Sequence, residues 1–200
     1  MKSTRARALL SLGIILGLGS VSTLAYWTDE ATLAAGTIQS GSLDLKLDGA
    51  DNLPSTTKLA ITNMVPGESV AATVNVQRAP GTVAFTYSVN GKVNETHELA
   101  TGLRFKLFAG VAGTSTANAN GIRTQTCGGT QLAGGTDGIA LATATDLVTN
   151  RTALATPSTV QPTAVTENLC IQAILPSAAG NGTQAKSATA TFAFNATQLS

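Results

Sequence analysis

Alternation with a period of two recurs along this 200-residue chain and restricts it to β-structure. Leu43, Leu45 and Leu47 share one face, and Asp44, Lys46 and Asp48 share the other. Val70, Ala72, Val74 and Val76 alternate with Ala71, Thr73 and Asn75. Val83, Phe85, Tyr87 and Val89 alternate with Ala84, Thr86 and Ser88, and Leu103, Phe105 and Leu107 with Arg104 and Lys106. Near the end, Ala190, Phe192 and Phe194 alternate with Thr189, Thr191 and Ala193. Strands of this kind bury one face and wet the other, as in an antiparallel sandwich.

Turn signals separate the runs. Pro66-Gly67 precedes the Val70 strand and Pro80-Gly81 the Val83 strand, while Asn90-Gly91 reads as a hairpin turn. Residues 169–175 read as a short apolar strand ended by Pro176. Residues 110–121 and 128–138, rich in Gly, Ser, Thr and Asn, read as loops. In residues 139–155 the alanines permit a small helix, and the Thr and Val content permits strands. The expected fold is all-β: a jelly-roll-like antiparallel β-sandwich with long loops and one or two short helices.

The N-terminus carries an export pattern. Lys2, Arg5 and Arg7 form a basic n-region, residues 8–18 an apolar core, and Thr23-Leu24-Ala25 offers the small residues a signal peptidase reads. An uncleaved anchor is the competing reading, but a span needs about 20 apolar residues. Cleavage is expected between Ala25 and Tyr26, with no stable membrane span afterwards. The expected organisation is a signal at 1–25, an N-terminal segment at 26–40 and a single sandwich domain at 41–200. Cleavage removes three basic residues of 12 and none of the 11 acidic ones, so the mature chain has 9 against 11 and a net charge of −2. That balance offers no basic patch for nucleic acid. Cys127 and Cys170 are the only cysteines, and in an exported protein they most simply pair.

Catalytic patterns are missing from the sequence. The chain has one histidine, His97, where a zinc-protease helix needs two. No Gly-x-Ser-x-Gly elbow accompanies it. Asp48, Asp51 and Asn52 around Gly49 lack EF-hand spacing and read as a polar turn rather than a calcium loop. The glycines of 128–138 lack a phosphate-binding Gly-Lys-Ser/Thr. Neither a cofactor, a metal site nor a catalytic residue is expected. Asn94, Asn150, Asn181 and Asn195 begin Asn-x-Ser/Thr sequons, which matter only in a host that glycosylates exported proteins.

Tyr26-Trp27-Thr28-Asp29, followed by Gly36-Thr37-Ile38-Gln39-Ser40-Gly41-Ser42-Leu43-Asp44-Leu45, resembles the opening of mature TasA/camelysin proteins, exported bacterial proteins. Asn63-Met64-Val65-Pro66-Gly67-Glu68-Ser69 is similar to that family's turn before a strand. Residues 169–176 and 188–198 are similar to the ending of actinobacterial members. Residues 90–165 carry no part of the resemblance. The family implies processing by a SipW-type signal peptidase, a jelly-roll domain and, in its best-known members, assembly into biofilm matrix fibres by N-terminal strand addition between subunits.

The expected function is therefore a secreted structural protein of the cell surface or biofilm matrix, a homopolymer rather than an enzyme. Tyr26, Trp27, Leu33 and Ile38 would belong to the assembly strand. A monomeric surface binding or adhesion module of the same fold is the alternative. A camelysin-like secreted protease is a remote one, since no metalloprotease pattern is present.

Overall fold

Ten strands account for most of the regular structure in the computed structural model, which describes residues 42–51 and 59–199. These belong to one compact unit, Ser40–Ser200. The strands are β1 (Leu45–Leu47), β2 (Ser69–Arg78), β3 (Phe85–Val93), β4 (Arg104–Ala109), β5 (Thr116–Ala117), β6 (Arg123–Thr124), β7 (Thr130–Ala133), β8 (Thr145–Arg151), β9 (Val165–Ile174) and β10 (Ala190–Gln198). A one-turn helix, α1 (Glu98–Gly102), precedes β4, and a 3-10 turn covers Asn181–Thr183.

The expected all-β antiparallel sandwich is present. A five-stranded sheet runs in the order β1-β2-β9-β4-β7 and a three-stranded sheet in the order β10-β3-β8; β5 and β6 form a separate ribbon. The pairings of both larger sheets are antiparallel. Between the sheets, Val76, Leu107 and Leu169 of the larger one meet Phe85, Tyr87 and Val89 of the smaller one, all with 0% exposure. Burying each such side chain contributes about 1.5–3 kcal/mol, and this layer holds the fold together.

The outer face of the larger sheet is covered too. Cys170 and Gln172 point away from the core in β9 yet are buried, because residues 110–128 fold over them. The Ala112 N–H donates to Thr73 Oγ1 (2.8 Å), and Gln172 Nε2 donates to the Gln125 carbonyl (3.1 Å). Cys127 is joined to Cys170 by the expected disulfide, with a Cα–Cα distance of 5.7 Å.

Several local expectations are corrected. Asn90-Gly91 is no turn but lies inside β3. Packing favours Gly91 there: a Cβ would stand 2.8 Å from Leu141 Cδ1 and 3.0 Å from Leu147 Cδ1, and those side chains would have to shift. The regions read as loops contain β5 at Thr116–Ala117 and β7 at Thr130–Ala133. Residues 139–155 hold strand β8 and no helix, and the single α-helical turn among the described residues lies at Glu98–Gly102. There His97 is the N-cap, its Nδ1 accepting from the Ala100 N–H at 3.3 Å.

Candidate functional site

The residues expected at the signal cleavage site, Ala25 and Tyr26, and in the assembly strand, Tyr26, Trp27, Leu33 and Ile38, lie outside the described residues. The carbonyl of Ser42, the first described residue, accepts from the Val83 N–H at 3.0 Å. The adjacent Ala84 carbonyl accepts from the Leu199 N–H at 3.4 Å. Ser42 therefore lies level with the C-terminal end of β10, hydrogen-bonded to the residue preceding the one that meets Leu199.

β10 is the longest strand at a margin of the sandwich. It pairs with β3 in unbroken register from Ala190↔Val93 to Gln198↔Phe85 and, among the described residues, with no other strand. Just beyond its ends, the Asn94 N–H donates to the Thr189 carbonyl and the Leu199 N–H to the Ala84 carbonyl. In an antiparallel ladder the residues bonded to one neighbour alternate with those facing away. Odd-numbered residues of β10 thus bond to β3, and Ala190, Phe192, Phe194, Ala196 and Gln198 aim their N–H and C=O groups at the open side. The side chains of the first four form the inward row, packed on the core but only half-buried. The Phe192 ring meets Phe105 edge-on at 6.0 Å, and the Phe194 ring stacks on Tyr87 at 6.4 Å.

Two ion-pair clusters fix the frame, one beside this margin and one at the start of β2. Tyr87 of β3, with 0% exposure, donates its hydroxyl to Glu167 Oε2 of β9 at 2.5 Å, tying one sheet to the other. Arg151 of β8 grips the same carboxylate through Nε (3.1 Å to Oε1) and a terminal nitrogen. Burial, and then the bond to Glu167, push the Tyr87 hydroxyl pKa far above its ordinary value. At the start of β2, Glu68 is 1% exposed and holds Arg123 from both ends, Nε to Oε1 at 2.6 Å and a terminal nitrogen to Oε2 at 2.7 Å. It also accepts from the backbone N–H groups of Val65 (2.9 Å) and Arg123 (3.1 Å). Arg123 foremost, with those two N–H groups, outweighs the burial and lowers the Glu68 pKa to about 2.

Arg78 is a buried charge that the alternation pattern did not single out. It ends the inward row of β2 with 0% exposure, and its guanidinium donates to the carbonyls of Leu154 (3.1 Å), Pro157 (2.9 Å) and Thr159 (3.3 Å). It anchors the connection between β8 and β9. His97 Nε2 lies 2.8 Å from the Ser187 carbonyl, so both its ring nitrogens have backbone partners. Asp48 accepts from the Asn75 N–H and Asp51 from Lys46, while Asn52 lies outside the described residues. Among the described residues no three of His, Cys, Asp and Glu gather as metal ligands. The four sequon asparagines Asn94, Asn150, Asn181 and Asn195 are exposed.

The arrangement offers backbone pairing and an apolar row rather than a converging set of reactive groups. No family model matches the chain, and no curated protein matches it.

Proposed function

We propose that the chain is an exported structural protein of the cell surface or biofilm matrix, of the TasA/camelysin kind, whose copies join head to tail. After cleavage between Ala25 and Tyr26, residues 26–40 of one copy add as a strand to a sheet edge of the next. The observation that carries this reading is the shortfall of the smaller sheet. Three strands face five, and Phe192 and Phe194 remain half-buried at its margin. A further strand would cover that row and satisfy the backbone groups beside it. Such a contact joins unlike surfaces and does not close on itself, so it propagates a filament. The Cys127–Cys170 disulfide supports an oxidising destination.

The test compares protein beginning at Tyr26 with protein beginning at Gly41, by electron microscopy and sedimentation. Fibres are expected only from the first. Fibres of equal length from the second would remove the strand-donor role. Stable monomers from the first would favour the surface binding module instead.

A further inference from the structure

The margins of the two larger sheets differ in how they meet a would-be neighbour. β1 has three residues, and at Leu47 its outer side is taken by its own turn, where Leu47 and Ala50 exchange hydrogen bonds of 2.8 and 3.0 Å. Beyond β1, the exposed side of β2 is sealed by Gln125, whose N–H donates to the Ser69 carbonyl and whose Oε1 accepts from the Ala71 N–H. β7 has four residues and a register shift against β4, and the Gln131 amide folds onto the carbonyls of Ala133 and Gly135. β8 carries Asp146 and Arg151 and meets β3 through two register shifts. Short length, charge and bulges are the devices by which sheets avoid pairing with strangers. β10 has none of them: nine residues, no charge, no proline and no break in register.

We infer that the outer edge of β10 is the acceptor, and that residues 31–40 of a second copy occupy it. This rests on the strand-addition reading above and specifies where the strand goes. Residues 31–43 form a run without charge, matching an edge without charge. Nine residues of β10 span about 30 Å. Residues 26–40 reach about 50 Å when extended, enough to cover the edge and leave a link to the next domain. The row Ala31, Leu33 and Ala35 sets one large side chain between two small ones, a shape suited to the gap beside Phe192 and Phe194. A second copy is favoured over the same chain by length. Every pairing in the two larger sheets is antiparallel, and Ser42 lies level with the C-terminal end of β10, so pairing of that kind within one chain would need about 18 residues, nine along the edge and nine back. Cleavage after Ala25 leaves 16 before Ser42.

The test is Ala196→Pro in the protein beginning at Tyr26. The Ala196 N–H points to the open side, so proline there blocks the outer edge and leaves the β3 ladder its donors. The variant keeps its own N-terminal segment. It should form no fibres alone and, in substoichiometric amounts, should shorten the fibres of the unaltered protein by capping their growing ends. Ala196→Lys, which places a charge in the inward row, should act the same way, and circular dichroism checks that each variant is folded. In fibres of the unaltered protein, amide exchange should slow at Phe192, Phe194 and Ala196, with no such change along β8. Fibres of parental length from either folded variant would overturn the assignment of β10, while loss of fibres in protein beginning at Gly41 would leave strand addition standing. Slowed exchange along β8 and not β10 would overturn it equally. Fibres from protein beginning at Gly41 would instead overturn the reading on which the assignment rests.

Discussion

Glu68 shows how much a single buried carboxylate can carry. Its folded-state pKa, about 2, lies below the ordinary 4.5, so the bound charge favours the folded protein. The contribution is fully present above the unfolded value and disappears as the pH falls from about 4.5 through about 2. A depression of that size corresponds to about 3 kcal/mol at neutral pH. Glu68→Gln should therefore lower the unfolding free energy at pH 7 by about 2–3 kcal/mol and flatten its acid limb. Urea titrations at a series of pH values check both, and an acid limb as steep as the parent's would show that the charge is not what matters. The Pro-Gly-Glu-Ser turn was visible in the sequence, but the Arg123 partner 55 residues on was not. Gly91 teaches the converse. Asn-Gly is a local turn signal, and here contact with Leu141 and Leu147, from outside β3, overrides it. The buried Arg78 was equally hidden, since its partners are carbonyls, which every residue possesses.

At the scale of elements, period-two alternation located β1, β2, β3, β4 and β10 because each has an inward row against one core. β9 was read only in its apolar half; of its first four residues, 165–168, three are polar, and they alternate between half-buried and exposed. Residues 139–155 gave two readings because alanine and threonine preferences compete, and pairing with β3 decides for a strand. β5, β6 and β7 escaped because strands of two to four residues carry too little pattern. What secures that region is the staple between Cys127 and the central strand β9, 43 residues apart in sequence. In the chain-entropy account, such a closure contributes about 4 kcal/mol. Replacing both cysteines by alanine should lower stability by about 3–4 kcal/mol. Amide protection should fall first at Ala112 and Gln125, which the staple holds against β2. Denaturant titrations of parent and variant, with exchange measured at those amides, check this. An unchanged midpoint would mean that residues 110–128 hold their place without the staple.

For the whole molecule, the missing information in the sequence was topology. The alternation of Ala190, Phe192 and Phe194 is legible, and so is the lack of charge, but nothing local says that β10 lies at a margin rather than in the middle of a sheet. On the proposed reading, that position makes an ordinary amphipathic strand the surface for association, and it sets how assembly should respond to salt. A chain cleaved after Ala25 would carry 9 basic and 11 acidic residues, so its copies would repel one another weakly. Neither residues 31–43 nor β10 bears a charge. The joint would then rest on backbone hydrogen bonds and apolar contact, with no ion pair for salt to screen within a Debye length of about 10 Å at 0.1 M. Raising sodium chloride from about 0.05 to 0.5 M should change the fraction of protein in fibres by less than about threefold, because screening acts on exposed charges. Sedimentation of fibres across that series measures it. A steep loss at high salt would place an ionic contact in the joint, with Glu30 and Asp44 the acidic residues that flank the uncharged run. Indifference to salt, combined with loss of fibres on blocking β10, is the pattern expected of an uncharged strand completing an uncharged edge.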